Sequence, residues 1–180
     1  MHGLVVNQFR HFLLKNHGRD AWSQTRARVG NGIPERPAIV ATYPDSEVVE
    51  LIVGAAQHLD VPLQLMLENF GEFLSHALMR IYQPLVDPRW RTLDVIQRTE
   101  ESIHTVVRRQ DPSATPPYLS ATRISPREVH IEYTSARHLC SVAIGIVRGL
   151  ATHFGDSVRI DQPVCMLRGD SKCHLVVCLT

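Results

Sequence analysis

One histidine and a short polar cluster downstream of it have the residue types from which a cofactor site can be built. His104 lies in a segment with helix-like apolar spacing, and Tyr133, Ser135 and Arg137 follow at alternate positions. In an extended strand alternate side chains point to one face, so two hydroxyls and a guanidinium would meet there. Such donors suit an anion with several oxygens, and a neutral imidazole suits a transition metal. Haem, an anionic cofactor that carries iron, satisfies both requirements.

Each of these signals also has a simpler interpretation. The chain contains 10 histidines, and a single histidine is more often a surface or core residue than a metal ligand. The Tyr-Ser-Arg face could form ordinary strand hydrogen bonds, and Pro116-Pro117 is by default an extended linker between a helix and a strand. The haem hypothesis therefore depends on what the rest of the chain can form.

The elements that would position these side chains change character near Pro117. Before it, apolar spacing and breaker residues predict helices over residues 3–15 (with a stop at 16–18), 20–28, 45–59, 63–79 and 90–108. After it, they predict strands over residues 118–123, 129–133, 158–167 and 172–179, with a helix over 139–153 and a turn at Arg168-Gly169-Asp170.

We therefore expect an α+β fold in a single domain, residues 1–180, rather than two small domains. A helical half, about residues 1–90, would pack on an α+β half, about residues 91–180, that contains an antiparallel sheet and a helix. The haem would lie between the halves, where a pocket is expected.

Composition and charge exclude several classes of function. The 180 residues are 44% hydrophobic and 21% charged, as in ordinary globular proteins, with a net charge of +1. The absence of a basic face argues against nucleic-acid binding. The amino terminus lacks the order of a signal peptide, and the longest apolar run, residues 139–150, is interrupted by Arg148 and too short for a bilayer. We expect a cytoplasmic protein without a membrane partner.

The chain resembles the haem–nitric oxide/oxygen binding (H-NOX) family, which includes the haem domain of soluble guanylate cyclase. The resemblance covers essentially the whole chain. It rests on the Met1-x-Gly3 start, the segments PDSEVVELI, LDVPLQLMLENFGEFL and PSATPPYL, the position of His104, and the Tyr133-x-Ser135-x-Arg137 signature. Tyr-x-Ser-x-Arg alone is a weak pattern, but it becomes specific when combined with a histidine at the expected upstream spacing and the intervening Pro-Pro.

The resemblance implies a role for each matching residue. His104 would be the only protein ligand to the iron of haem b, which leaves the opposite coordination position open. Tyr133, Ser135 and Arg137 would bind the two propionates, and Pro117, rather than its neighbour Pro116, would pack on the porphyrin and hold it distorted.

The resemblance also predicts which gases bind. Members that hold dioxygen carry a tyrosine at the position of Val142, and the companion polar positions are Phe9 and Leu74 here. Because bound dioxygen needs a hydrogen-bond donor and nitric oxide does not, this apolar pocket favours nitric oxide and carbon monoxide and excludes dioxygen. A donor pointing inward would overturn this prediction; the candidates are Gln8, His76 and Tyr82.

Three cysteines form a second candidate site. Cys140, Cys165 and Cys173 match the spacing at which some bacterial relatives bind zinc with three cysteines and one histidine. The histidine position is Gln162 here, a poor zinc ligand. The residues that could replace it are His138, His174 and Cys178. Buried thiols without a metal remain the simpler interpretation.

The resemblance implies signalling through a separate protein. Binding of nitric oxide would release His104, shift one half against the other, and change a surface read by a histidine kinase or a cyclic-dinucleotide enzyme. The 180 residues leave no length for an effector domain. The alternatives are a zinc–cysteine redox sensor on the same fold and a haem-free interaction module. An enzyme is not expected, because the chain lacks a nucleotide-binding loop, a nucleophile elbow and a convincing pair of acids.

Overall fold

The computed structural model describes residues 1–112 and 114–180. In this part of the chain the helices are α1 (Gly3–Val29), α2 (Asp45–His58), α3 (Leu63–Tyr82), α4 (Thr92–Arg98), α5 (Thr105–Gln110) and α6 (Cys140–Phe154). The strands are β1 (Tyr118–Ser125), β2 (Glu128–Thr134), β3 (Val158–Val164) and β4 (Cys173–Leu179). The predicted α+β fold is confirmed. Among the described residues, no helix combines the length and the apolar character that crossing a bilayer requires.

The first helix, α1, consists of two helical arms that meet at Gly18, where the sequence predicts a stop. The chain passes through Gly18 at φ +84° and ψ 178°, so the backbone kinks there, and helix resumes directly afterwards. Glycine tolerates this conformation because it has no Cβ. Phe12 and Trp22, on opposite sides of the kink, are both buried in one core cluster. The predicted stop at residues 16–18 is therefore confirmed, since Gly18 leaves the helical conformation and separates two helical arms within α1.

The four strands form one antiparallel sheet in the order β1-β2-β4-β3. The last hairpin turns at Gly169, whose φ of +97° is the left-handed conformation expected there. β3 ends at Val164 instead of residue 167, because Cys165 leaves the ladder and its N–H donates to Asp170 Oδ2 at 2.9 Å. One face of the sheet packs against α4 and α6. The buried side chains between them come from both layers: Val129, Ile131, Leu175 and Val177 from the sheet, and Leu93, Ile96, Val147 and Leu150 from the helices.

The helical half has its own apolar core, and helices α3 and α6 join it to the sheet half. Ile146 on α6 contacts both the helical core and the sheet core. The two helices approach closely at glycines: a Cβ on Gly71 would lie 2.2 Å from the carbonyl oxygen of Val142. A Cβ on Gly145 would lie 2.0 Å from the carbonyl oxygen of Glu68. No larger residue fits this crossing without moving a backbone.

We expect Gly145→Ala to lower the free energy of unfolding by about 1–3 kcal/mol, because the added methyl must push α3 and α6 apart. Gly54→Ala is the matched control, since its Cβ would meet only Arg28 Cδ at 3.8 Å and alanine favours helix by about 0.5–1 kcal/mol. Urea unfolding measures both. Equal stabilities of the two variants would contradict the close crossing.

Candidate functional site

His104 is positioned by a π-helical turn, Thr99–His104, between α4 and α5. The sequence predicted one regular helix over residues 90–108, which is wrong in this turn. In this wide turn the carbonyl of Glu100 accepts two hydrogen bonds from Thr105. One comes from its backbone N–H and the other from its hydroxyl, at 3.0 Å. Turns of this kind are rare and occur frequently at functional sites. Because a π-helical turn contains one residue more than an α-helical turn, it changes the direction of the His104 side chain relative to α4.

A carboxylate holds the imidazole of His104. Its Nδ1 lies 3.0 Å from Glu100 Oε2, and the side chain is 14% exposed. Glu100 is fixed in turn, because Arg108 Nη1 donates to Oε1 at 2.7 Å and the N–H of Leu119 donates to Oε2 at 3.1 Å. Since an ionised carboxylate can only accept, Nδ1 carries the proton and Nε2 keeps its lone pair for a metal. The carbonyl of Pro117 is also within hydrogen-bond reach of the ring.

The charge states of this pair follow from burial and contacts. Burial lowers the pKa of His104 below its usual value, against the opposing effect of the Glu100 carboxylate, so the imidazole is neutral at pH 7. Burial raises the pKa of Glu100, but hydrogen bonds from Arg108, His104 and the Leu119 N–H outweigh it and leave the pKa below its usual value. The result is a neutral imidazole beside an ionised acceptor.

The Tyr-x-Ser-x-Arg signature is only partly a strand. β2 ends at Thr134, so Tyr133 lies in the sheet, whereas Ser135 and Arg137 lie in the turn that follows. The expectation of one extended face was wrong for the last two residues. Ser135 Oγ accepts from the backbone N–H of Arg137 at 3.2 Å and also hydrogen-bonds with the Tyr133 hydroxyl. Burial raises the pKa of Tyr133 to about 12, so the phenol remains a hydrogen-bond donor.

The guanidinium of Arg137 connects the two halves of the chain. Its Nη1 donates to the Thr115 carbonyl at 2.6 Å, Nη2 donates to the Thr115 hydroxyl, and Nε lies 2.9 Å from Asp45 Oδ1. The same Asp45 oxygen is 2.8 Å from the amino group of Met1. Burial raises the pKa of Asp45, but the amino group of Met1 and the positive charge of Arg137 outweigh it and keep the carboxyl ionised.

This donor set matches a carboxylate-bearing ligand. Arg137 already pairs with one carboxylate, and among the described residues its buried Nε–H finds no well-aligned hydrogen-bond acceptor, Asp45 included. A cavity of about 280 Å³ lies beside it, lined among others by Met1, Asp45, Thr115 and Arg137. Its size suits the carboxylate arms of a larger ligand rather than a whole porphyrin. The chemistry of the donors therefore fits haem propionates.

The residues assigned to the gas-binding side come together in one apolar cluster. Phe9 and Leu74 are buried in the core of the helical half, and Val142 packs against it. Phe9 and Phe70 meet edge to face with centroids 5.0 Å apart. Of the three donors that could spoil this environment, His76 is exposed, Gln8 is buried and Tyr82 is half-buried.

The three predicted cysteines also form a cluster. The Sγ atoms of Cys140, Cys165 and Cys173 all lie within 4.8 Å of one another, and the three side chains are buried. Burial raises the pKa of the Cys173 thiol to about 12. The proposed substitutes for a fourth ligand lie elsewhere: Cys178 contacts Glu128 and Arg159, His174 packs on His130, and His138 is exposed. The side-chain nitrogen of Gln162 is buried without a hydrogen-bond partner among the described residues.

Two residues of the site were missed at the level of sequence. Glu100 was detectable, because an acid four residues before a histidine on a helix can reach its ring. Asp45 was recognised only as a helix-entrance residue, and nothing in its local sequence connects it to Arg137, 92 positions later.

Comparisons with known proteins identify a family and a fold. Residues 2–162 match the family described as Haem-NO-binding, HNOB. An H-NOX protein from S. oneidensis in the Fe(II)NO ligation state is 24% identical, with all of this chain and 99% of that chain covered and a TM-score of 0.90. The H-NOX domain from Shewanella oneidensis in the Fe(II)CO ligation state is 25% identical over 100% of this chain and 99% of that chain, with a TM-score of 0.86.

A third structure extends the likeness. The Fe(II) unliganded H-NOX protein from K. algicida is 18% identical, with a TM-score of 0.87 over 100% of this chain and 97% of that chain. Among curated protein sequences, none matches this chain. Because the family match spans nearly the whole chain, from residue 2 to residue 162, the chain belongs to the Haem-NO-binding (HNOB, or H-NOX) family.

Proposed function

We propose that this chain is a single-domain, haem-based gas sensor without catalytic activity, which binds nitric oxide and carbon monoxide at ferrous haem b and excludes dioxygen. The observation that supports it most strongly is the imidazole of His104, which is neutral, 14% exposed, and held through Nδ1 by Glu100 so that Nε2 remains available. His104 would hold the iron of ferrous haem, and the haem, when bound, would supply a coordination position for a gas.

The residues around His104 would hold the porphyrin. Tyr133, Ser135 and Arg137 provide hydroxyl and guanidinium donors for the propionates, and the Arg137 guanidinium would exchange its contact with Asp45 for a propionate oxygen. Pro117 lies beside the His104 ring, the side on which it would contact the porphyrin. The match of residues 2–162 to a haem-binding family supports the proposed cofactor.

The apolar cluster of Phe9, Leu74 and Val142 supports the proposed choice of gas. These side chains offer no hydrogen-bond donor, and the nearby hydroxyl of Ser75 donates to the carbonyl of Glu72 at 2.7 Å. Stable dioxygen binding would require a hydrogen-bond donor from the protein, whereas nitric oxide and carbon monoxide would bind without one.

Release of His104 would transmit the signal. Glu100 holds the π-helical turn through its contacts with His104, Arg108 and the N–H of Leu119 on β1. If the released imidazole moved away from Glu100, this connection between the turn and β1 would loosen. The helical half would then shift against the sheet half at the close crossing of α3 and α6. A separate histidine kinase or cyclic-dinucleotide enzyme would respond to the changed surface.

The test of this function is ligand selectivity. The reduced protein should give a new haem spectrum under nitric oxide and under carbon monoxide, and no stable oxygen-bound spectrum in air-saturated buffer. A persistent oxygen-bound spectrum would contradict the proposed exclusion of dioxygen.

Glu100 should set the strength of the bond from His104 to the iron. We expect Glu100→Gln to lower haem affinity by about 10–100-fold, because the imidazole loses the anionic acceptor that orients it and raises its basicity. Haem transfer to apomyoglobin measures the affinity, and the iron–histidine stretching band should move to lower frequency. Glu101→Gln, at an exposed neighbouring position, is the control. An unchanged stretching frequency in Glu100→Gln would refute this role.

The cysteine cluster supports a second candidate function, a zinc-linked thiol sensor on the same fold, because three buried Sγ atoms lie within 4.8 Å of one another. Zinc would displace the thiol protons and leave one position for Gln162 or water. We expect elemental analysis to find about one zinc per chain, and Cys165→Ser to lose it. Cys178→Ser, at the cysteine outside the cluster, should retain the metal. Less than about half an equivalent in the unsubstituted protein would exclude the site.

A further inference from the structure

A second cavity lies on the helical half, at the kink of α1. It has a volume of about 280 Å³, and its lining comes from both arms of the kinked helix and from the loop that follows. Arg10 lies before Gly18 and Arg19 directly after it, while Arg36 comes from the loop. None of these residues belongs to the haem site or to the cysteine cluster. The cavity therefore requires an explanation of its own.

The lining of this cavity carries more positive than negative charge. The only acid in its lining, Glu35, directs its carboxylate to Arg26, with Nε and Oε2 at 3.2 Å, and offers its backbone carbonyl to Arg10 Nε at 2.8 Å. Within the described ranges, neither Arg19 nor Arg36 has an acidic partner. Three arginines thus line one cavity in a chain whose net charge is only +1.

The walls of this cavity are held in place. The buried indole of Trp22 donates through Nε1 to the Glu35 carbonyl at 3.2 Å, the same oxygen that accepts from Arg10. These two hydrogen bonds fix the loop against α1 and orient the Arg10 guanidinium. Ser23 adds a hydroxyl to the lining. Guanidiniums and a hydroxyl on a fixed frame are donors suited to phosphate oxygens.

The volume limits the size of the ligand. A cavity of about 280 Å³ has room for a diphosphate group together with part of its hydration shell. Three arginines also match the multiple negative charges of a diphosphate better than the single charge of a carboxylate.

We propose that this cavity, the α1 arginine pocket (Arg10, Arg19, Arg36, Trp22 and Ser23), binds a diphosphate group, either inorganic diphosphate or the diphosphate of a nucleotide. The ligand bridges the two arms of α1 and the loop, because the arginines come from all three segments. The arm before the kink also carries Phe9, so occupancy of the pocket stiffens the helix that forms one wall of the apolar cluster.

Isothermal titration calorimetry of the haem-loaded, full-length chain with inorganic diphosphate tests this site. We expect saturable binding with one ligand per chain, and a higher melting temperature with diphosphate. Arg36→Gln should weaken binding about tenfold, and Arg19→Gln with Arg36→Gln should weaken it further, since each removes a charged donor. Both positions are exposed and unpaired, so the fold should be unaffected.

Arg80→Gln, which removes one exposed arginine from α3, is the control and should change affinity by less than about twofold. ADP should bind and adenosine should not. Tighter binding of ADP than of diphosphate identifies a nucleotide as the source, and equal or weaker binding identifies inorganic diphosphate. The proposal is overturned by absence of heat with diphosphate, by equal losses in Arg80→Gln and Arg36→Gln, or by tighter binding of a polyglutamate peptide. None of these outcomes affects the proposed haem site.

Discussion

Replacing His104 with glycine is expected to reduce the haem retained through purification to about a tenth or less of that in the unsubstituted chain. The imidazole is the ligand that we assign to the iron, and the remaining contacts hold only the propionates and the ring. Added imidazole should restore the haem by occupying the space left by the side chain. The measurement is the ratio of Soret absorbance to protein, with and without imidazole during purification.

His11→Gly is the matched control, because His11 is an exposed histidine on a helix and its replacement carries the same backbone cost of about 1 kcal/mol. It should leave haem content unchanged. Full haem content in His104→Gly without imidazole would show that another residue binds the iron. The assignment of the site to the π-helical turn would then be wrong.

Val142→Tyr should convert the protein into one that binds dioxygen. The new phenol would enter the apolar cluster that contains Phe9 and Leu74 and donate a hydrogen bond to the bound gas. A hydrogen bond to a group with anionic character is worth about 1.5–3 kcal/mol, so the affinity for dioxygen should rise about 10–100-fold. The spectrum of the reduced variant in air-saturated buffer measures this change.

Val142→Phe separates the effect of the tyrosine hydroxyl from the effect of the larger side chain. Both variants add a ring at a packed position, at a cost of about 1–3 kcal/mol, but only tyrosine supplies a donor. The phenylalanine variant should bind carbon monoxide and show no stable oxygen-bound spectrum. If both variants gain dioxygen binding equally, the absence of a donor does not determine gas choice in this protein.

The main elements could be predicted from the sequence because apolar spacing and breaker residues agree along most of the chain. α2 begins directly after Pro44 and α3 directly after Pro62, as their sequences indicate. The hairpin turn at Gly169 was also evident. In each case a local rule of backbone conformation decides the outcome, and the packed core agrees with it.

The details of the candidate site depend on packing between distant segments and could not be predicted in this way. The apolar residues around His104 have ordinary helical spacing, so the sequence does not indicate the π-helical turn. In that turn the Thr105 hydroxyl donates an additional hydrogen bond to the Glu100 carbonyl. The ion pair of Asp45 with Arg137 joins helix α2 to the turn after β2. The two arms of α1 meet at Gly18 without a longer loop between them, because side chains from both arms pack in one core.

The central claim, that His104 binds the iron of a haem held in this chain, is tested most directly by the absorption spectrum of the purified protein during titration with haemin. We predict a Soret band that saturates at one haemin per chain and shifts when the reduced protein is exposed to nitric oxide. A chain that remains colourless and adds only the spectrum of free haemin would contradict the account.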